Sequence, residues 1–203
     1  MKLSQAREAV GGLSSTSKMP CKSYNLPAQE CRVGSKLRKK KGTVCSNCYA
    51  LKGRYLFPNV KNALYRRLDT IRSKDWVDNM VTALNSPEYF RWHDSGDIQD
   101  AAHLDNIVEV AKRTPDTKHW LPTREYDVIR NYKRPIPDNL IIRVSAPSVD
   151  GPVPHGFKHT STVHARTIPT NSHVCPAPQQ GNECGDCRAC WDGSVKNVSY
   201  KEH

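Results

Sequence analysis

From Asn59 to Arg72 the apolar residues Val60, Leu64, Leu68 and Ile71 recur at helical spacing among basic residues, which predicts a helix with one buried face. A second helix follows, with Trp76, Val77, Met80, Val81 and Leu84 on one face and Ser73 as its start signal. The rhythm then changes. Tyr89-Phe90-Arg91-Trp92-His93 predicts a strand, Asp100 opens a helix carrying Leu104, Ile107, Val108 and Ala111, and His119-Trp120-Leu121 predicts another strand. A short helical piece around Asp127 to Tyr132 precedes Leu140-Ile141-Ile142-Arg143-Val144-Ser145, the most strand-like run of the chain, and Thr160 to His164 adds a further strand. Strands alternating with helices at this spacing build a parallel sheet from right-handed crossovers. The fold class predicted is α/β, as a partial or compressed βα barrel or as an open parallel sheet, the units being too few for a full eight-strand barrel.

The flanks lack this periodicity. Residues 1 to 20 read as a flexible or docking lead-in, and residues 21 to 203 as a single domain. Within it, residues 21 to 56 are Cys-rich loops, 57 to 164 the α/β body, and 165 to 203 a Cys-rich tail. Only 37% of the residues are hydrophobic and 14 are Pro. That is below the roughly 45–50% of an ordinary domain, so both flanks are expected to be organised by metal rather than by apolar packing.

Met1 to Pro20 has no unbroken apolar run of the kind a secretory signal needs, and no later stretch is long enough to span a bilayer. A soluble, intracellular protein is the expectation, with no membrane partner. In a reducing compartment eight Cys are more often metal ligands or redox groups than a disulfide framework. The formal charge of +11, from 31 Lys and Arg against 20 Asp and Glu, includes the tract Lys36-Leu37-Arg38-Lys39-Lys40-Lys41. The tract reads equally as a solvated loop or as a contact for phosphate, giving at most weak, non-specific nucleic-acid binding.

Cys184, Cys187 and Cys190 are each separated by two residues, so one short loop wraps three corners of a cubane cluster. Cys175 lies eight residues upstream as the natural fourth corner. Structural zinc is the competing reading, although its four-Cys sites are usually assembled from two separated pairs. The first group is less regular: Cys45 and Cys48 form a knuckle, with Cys31 and then Cys21 upstream. Cys31, Cys45 and Cys48 alone would leave one iron open to a small ligand. A fourth thiolate from Cys21 would close the site, a cluster shared between the two ends of the chain would tie them together, and a zinc knuckle is the remaining option. The expected cofactor is one or two [4Fe-4S] clusters, with zinc as the alternative.

Ligands of parallel α/β sheets sit beyond the carboxyl ends of the strands. There the sequence offers His93, Asp94, Ser95 and Asp97, then Arg124 and Glu125, then Arg143 and Ser145. His93, Asp94, Asp97 and Arg124 are the candidate catalytic residues, and Ser95, Glu125, Arg143 and Ser145 the candidate cofactor-binding ones. In the functional reading the Asp residues hold an amine or ribose hydroxyl and the Arg residues a carboxylate or phosphate. In the structural reading Asp94 and Asp97 cap the next helix and pair with Arg124 and Arg143. The partner is a small-molecule ligand or a host redox partner; the alternative functions are a zinc-binding nucleic-acid module using the Lys36 to Lys41 tract and a structural cluster protein that binds a host partner.

Cys31-Arg-Val-Gly, Cys45-Ser-Asn-Cys48-Tyr-Ala-Leu-Lys-Gly-Arg-Tyr, Phe90-Arg-Trp-His-Asp-Ser-Gly-Asp97, Leu121-Pro-Thr-Arg-Glu125, Arg143-Val-Ser-Ala and the tail from Cys175 to Trp191 together resemble the bacteriophage family called gene product 88. The likeness runs from about Ser17 to His203. It implies a phage origin and action in the cytoplasm of the infected bacterial host, and little about activity. In layout the chain is more distantly similar to radical S-adenosylmethionine enzymes, which set a three-Cys cluster ahead of a partial βα barrel and sometimes add a C-terminal auxiliary cluster. Cys45-x2-Cys48-Tyr49 and the tail fit that plan. The thirteen residues between Cys31 and Cys45 depart from it, since that family has three there. The similarity implies a redox or radical-type enzyme with S-adenosylmethionine as a candidate cofactor, Ser95-Gly96-Asp97 standing in for the strand end that holds its methionine amine.

Overall fold

The computed structural model describes residues 1–202. Its strands are β1 (Ser14–Ser15), β2 (Lys22–Tyr24), β3 (Tyr89–Trp92), β4 (Lys118–Thr123), β5 (Leu140–Val149), β6 (Thr160–His164), β7 (His173–Val174) and β8 (Asn197–Lys201). They form one open sheet in the order β1-β2-β3-β4-β5-β6-β8-β7, in which only the β1–β2 pair is antiparallel. Of the two architectures expected, the open sheet is the one observed. No helix among the described residues is long and apolar enough to cross a membrane.

The helices are α1 (Leu3–Ala9), α2 (Arg32–Leu37), α3 (Pro58–Thr70), α4 (Trp76–Leu84), α5 (Ala101–Arg113) and α6 (Tyr126–Asn131). The strongly periodic segments fold where their patterns put them, and the Asp100 carboxylate caps α5 by accepting from the His103 N–H at 2.8 Å. Of the two readings of residues 1 to 20, flexible or docking, the structure shows docking: they contain α1 and β1, and Ala6 and Val10, one turn apart, are fully buried in the core. Two small apolar residues among Ser, Gly and charge give too faint a periodicity to read, yet they suffice to dock one short helix. β8 was also illegible in the tail, because Asn197, Ser199 and Lys201 dilute its apolar content.

Alternation along the strands sorts side chains onto two faces. Phe90, Trp92, Leu121, Leu140 and Ile142 point to the helical side, where they join Trp76, Met80, Leu104 and Ile107 in the main core. Burying each Phe, Leu or Ile side chain stabilises the fold by about 1.5–3 kcal/mol. Tyr24 ties this core together, since its hydroxyl donates to Val10 O at 2.9 Å and accepts from Trp76 Nε1 at 3.1 Å. His119 is buried here as a neutral imidazole, accepting from Trp92 Nε1 at 3.2 Å and bonding Thr114 Oγ1 at 2.8 Å.

The other face carries Tyr89, Arg91, Trp120, Ile141 and Arg143, and the tail covers it. Trp191 packs edge-on against Tyr89 and Trp120 and donates to Phe90 O at 2.9 Å. Arg143, fully buried, fastens the tail. Its Nε donates to Cys190 O (3.0 Å), its Nη2 to Ala189 O (2.7 Å) and Asp192 O (2.9 Å), and its Nη1 to Val195 O (3.0 Å) and Thr160 O (3.4 Å).

Two outcomes are expected. Burial lowers the pKa of His103 to about 4 and that of His119 to about 3, from an ordinary 6.5. Between those values the unfolded chain binds protons that the folded chain refuses, so stability present above pH 6.5 is lost as pH falls through 4 and then 3. Thermal unfolding from pH 8 to 4 should show a flat midpoint down to neutrality and a steady fall below it. A midpoint unchanged at pH 4.5 would contradict the buried neutral imidazoles. Second, Arg143→Ala strips partners from several buried carbonyls, each worth about 1–3 kcal/mol when left unsatisfied. Limited proteolysis should then cut within residues 175–195 first, while the far-ultraviolet circular dichroism of the α/β body persists.

Candidate metal and ligand site

The carboxyl end of β3 is shaped by backbone that L-residues rarely adopt. His93 has φ +53° and Gly96 φ +78°, and a Cβ on Gly96 would stand 2.6 Å from Leu26 Cβ and 2.7 Å from Leu26 O. Only glycine fits this approach. The loop is stitched to the end of β2: Asp94 N–H donates to Asn25 Oδ1 (2.9 Å), Ser95 Oγ to Leu26 O (3.0 Å) and Leu26 N–H to Ser95 O (3.0 Å). Asp97 accepts from Thr123 Oγ1 (2.6 Å), Ile98 N–H (2.8 Å) and Arg124 N–H (2.9 Å), which ties β3 to the end of β4. Burial pushes its carboxyl up to about 6 against those donors.

This arrangement answers the structural reading of the strand ends. Asp100, not Asp94 or Asp97, caps α5, and the ion pairs among the described residues involve none of Asp94, Asp97, Arg124 or Arg143. Asp97 meets Arg124 through its backbone N–H, which leaves the guanidinium available to others. Arg124 Nε reaches Ala146 O at 3.3 Å.

The first Cys loops fold back over these same strand ends. Glu125 Oε1 accepts from Val33 N–H at 2.9 Å and so holds the first turn of α2, whose N-cap is Cys31. Within α2, Gly34 stands where a Cβ would lie 2.9 Å from Cys31 Cβ, 3.6 Å from Cys31 Sγ and 3.7 Å from Cys45 Sγ. The two sulfurs therefore converge on a space that only a missing side chain leaves open. Burial raises the Cys31 thiol, helped by the charges of Asp97, Cys48 and Cys45. Burial also raises Cys45, while Arg124 opposes it. Just beyond Cys48, the Tyr49 hydroxyl donates to Asp94 O and the Tyr55 hydroxyl to Asp94 Oδ1 at 3.0 Å. Asp94, Asp97, Arg124 and Glu125 are thus brought together with Cys31, Cys45 and Cys48.

Four other predicted residues are placed differently. His93 is buried with Nδ1 3.2 Å from Tyr24 O and Nε2 without a partner, and burial holds its pKa well below the ordinary range. Ser95 Oγ is spent on Leu26 O. Arg143 serves the tail carbonyls, and Ser145 accepts from Ser161 Oγ at 2.9 Å and, through its carbonyl, from Tyr126 Oη at 2.6 Å. Strand ends that look equivalent in sequence diverge because β5 runs on to Val149, which leaves Arg143 and Ser145 inside the strand.

The tail cysteines form a second group. Cys187 Sγ lies 3.4 Å from His173 Nε2 and Cys190 Sγ 3.2 Å from Tyr200 Oη. Cys21, uncertain in sequence, falls with them: burial raises its thiol to about 12, and among the charges acting on it are Arg91, Cys184 and Arg188, none from the first group. All eight thiols are free, and among the described residues no three His, Cys, Asp or Glu side chains are placed to hold a single metal ion. Sequence reasoning missed Tyr49, Tyr55, Asn25 and Arg91. The available signals were two tyrosines following the Cys48 knuckle and an arginine at an alternate position of an otherwise apolar strand.

The chain matches the family model described as "Gene product 88" over residues 1–193. No curated protein matches it, and no solved structure does.

Gly34→Ala should act on the first Cys group alone. The added methyl collides with Cys31 Cβ, and overpacking of this kind costs about 1–3 kcal/mol. Thiol titration of the metal-free protein should show altered Cys31 and Cys45 reactivity with Cys184 and Cys187 unchanged. Identical profiles for the native and variant proteins would refute the convergence.

Proposed function

We propose, from the premise that this chain belongs to the bacteriophage gene product 88 family, that it is an iron-sulfur protein whose first cysteine group serves a redox or radical-type reaction. The observation that carries the reading is the meeting of Cys31 and Cys45 beside Gly34, next to Asp94, Asp97 and Arg124. Three thiolates from Cys31, Cys45 and Cys48 suit a cubane with one iron left for a ligand. A cluster spreads its thiolates over several metal atoms, so its ligands stand wider apart than those of one zinc ion. When bound, it would supply single electrons and an open coordination position.

This chain's own residues do the rest. Arg124, whose Nη atoms have no hydrogen-bond partner among the described residues, attracts a carboxylate or phosphate. Asp94, held by Tyr49 and Tyr55, faces an amine or hydroxyl. S-adenosylmethionine carries all of these groups and is the first ligand to try. Asp97 and Glu125 position the loops rather than touch the ligand, because both Asp97 oxygens and Glu125 Oε1 are bonded to backbone N–H groups. The tail thiols serve a second cluster. The site of action is the cytoplasm of the infected bacterium, with a host protein as electron donor.

A second reading, a zinc-binding nucleic-acid module, draws on Lys36, Lys39, Lys40 and Lys41, all exposed beside the first group, with only Arg38 of the tract's arginine and lysine residues turned inward to Ala28 O. The bases have no clear run of aromatic residues there to stack on.

Iron, sulfide and zinc analysis of anaerobically purified protein decides between the readings. A brown protein with iron and sulfide, whose reduced electron paramagnetic resonance signal changes on adding S-adenosylmethionine, is expected. Asp94→Asn and Arg124→Gln should keep the iron and lose that response. Because burial raises the Cys31 and Cys45 thiols, loading must release protons and should weaken as pH falls. A colourless protein with stoichiometric zinc and no sulfide would refute the proposal.

A further inference from the structure

Residues 31–68 contain eleven Lys and Arg and neither Asp nor Glu, whereas the rest of the chain carries twenty charges of each sign. The whole formal charge of +11 therefore lies in one continuous segment. That segment wraps the carboxyl edge of the sheet. Val149 N–H at the end of β5 donates to Gly42 O at 3.1 Å, the Tyr55 hydroxyl reaches Asp94 beyond β3, and Arg67 Nη1 donates to Asn25 O beyond β2 at 3.5 Å. Between these anchors nine of the eleven cations are exposed, Arg38 is half-buried and Arg67 is buried.

None of the eleven is ion-paired. The four ion pairs among the described residues join Arg72, Lys112, Arg113 and Arg134 to carboxylates, all outside the segment. The acids of this edge are already engaged: Asp94, Asp97 and Glu125 are buried and accept hydrogen bonds, and Glu30 accepts from the Tyr65 hydroxyl at 3.2 Å. Like charges crowded on one edge repel, and a polyanion laid across them is attracted while it releases its own counterions. Within the same segment the Tyr49 and Phe57 rings are 52% and 56% exposed, and Leu56 is 58% exposed. The Tyr49 hydroxyl is tied to Asp94 O, so that ring is held in place while half of it meets solvent.

We propose that this edge binds a single-stranded nucleic acid, whose phosphates lie on the exposed cations and whose bases reach Tyr49 and Phe57. The strand presents its nucleotides to the loops of Cys31, Cys45 and Cys48. The inference rests on the redox reading for the strand's role as substrate, and on charge and exposure alone for the binding face. Two rings are too few to read a base sequence, so backbone charge dominates. A single strand fits better than a duplex, because unpaired bases offer their faces to a ring. A lipid surface fits less well: α3 turns Asn59, Asn62 and Arg66 outward and has no continuous apolar face to insert. A folded acidic protein also fits less well, since three apolar side chains among nine exposed cations make a poor apolar centre for an interface.

The test uses the full chain, purified anaerobically, and a fluorescent deoxythymidine strand of about 16 nucleotides. Anisotropy should show binding that weakens at least about tenfold between roughly 50 and 200 mM salt. Lys39→Gln, Lys40→Gln and Lys41→Gln together, or Lys52→Gln with Arg54→Gln, should cost about tenfold in affinity and flatten the salt dependence. Lys112→Gln with Lys133→Gln removes as much charge as the second set, but at the ends of α5 and α6, which run back to the amino edge, and should change affinity less than about twofold. Phe57→Ala should weaken binding about fivefold or more and leave the salt dependence unchanged, which separates stacking from charge. The proposal falls if the Lys112 and Lys133 pair matters as much as Lys52 and Arg54, or if a duplex of the same length binds more tightly than the strand. It falls equally if phosphatidylserine vesicles or an acidic flavodoxin bind and the strand does not. With iron and sulfide present, the strand should also change the reduced electron paramagnetic resonance signal, and binding without that change removes the strand as substrate. A chain without iron or sulfide that still binds as described refutes the redox reading and leaves the binding face standing. A chain with iron and sulfide that binds no strand does the reverse.

Discussion

Both Cys-bearing segments of this protein have little regular structure, yet they lie against a sheet, and a buried backbone polar group without a ladder partner must find one elsewhere. Arg143 meets that requirement for the tail. Its planar guanidinium offers donors in several fixed directions, and here they are directed at carbonyls of Thr160, Ala189, Cys190, Asp192 and Val195. An ammonium could not span so wide a set of acceptors. Without this clasp the sheet would expose Trp120 and Ile141, and four of the cysteines would hang on an unanchored loop.

The first Cys segment is held by the same logic with the opposite charge. Glu125 satisfies an N–H at the start of α2, and Asp94 receives the Tyr55 hydroxyl on its carboxylate and the Tyr49 hydroxyl on its backbone carbonyl. Asp150 does likewise for the N–H groups of Ala165, Arg166 and Thr167 beyond β6. Carboxylates collect N–H and O–H donors at the carboxyl edge, and arginines collect carbonyls on the open face. Polar residues that read as ligand contacts in sequence are in several cases the fasteners of the loops that carry the thiols. Asp94 and Arg124 are fasteners of this kind that the proposed function would also use.

Arg91 occupies the junction of the two Cys groups. It lies within the electrostatic reach of Tyr49 and Asp94 on one side and of Cys190 and Tyr200 on the other. This half-buried guanidinium favours the charged forms of Cys21, Cys184 and Cys190, all on the tail side. The helical side of the sheet, by contrast, is conventional: an aromatic and aliphatic core in which burial keeps His103 and His119 neutral and hydrogen bonds engage the Tyr24 hydroxyl.

Local patterning is enough for the α/β class, the mostly parallel sheet, and the positions of α3 to α6 and β3 to β6, because hydrophobic periodicity is a property that each segment displays alone. The sequence also singled out the cysteines and the polar ends of β3 and β4 as candidate sites. Long-range contacts settle the docking of α1, the openness of the sheet, the insertion of β8 beside β6, and the placement of Cys21 by the tail rather than by Cys31, Cys45 and Cys48. The same holds for the duties of Arg143 and Ser145, which the length of β5 settles. Each of these depends on which distant backbone groups a side chain can reach, and that pairing across 20 to 100 residues leaves no periodic trace along the chain.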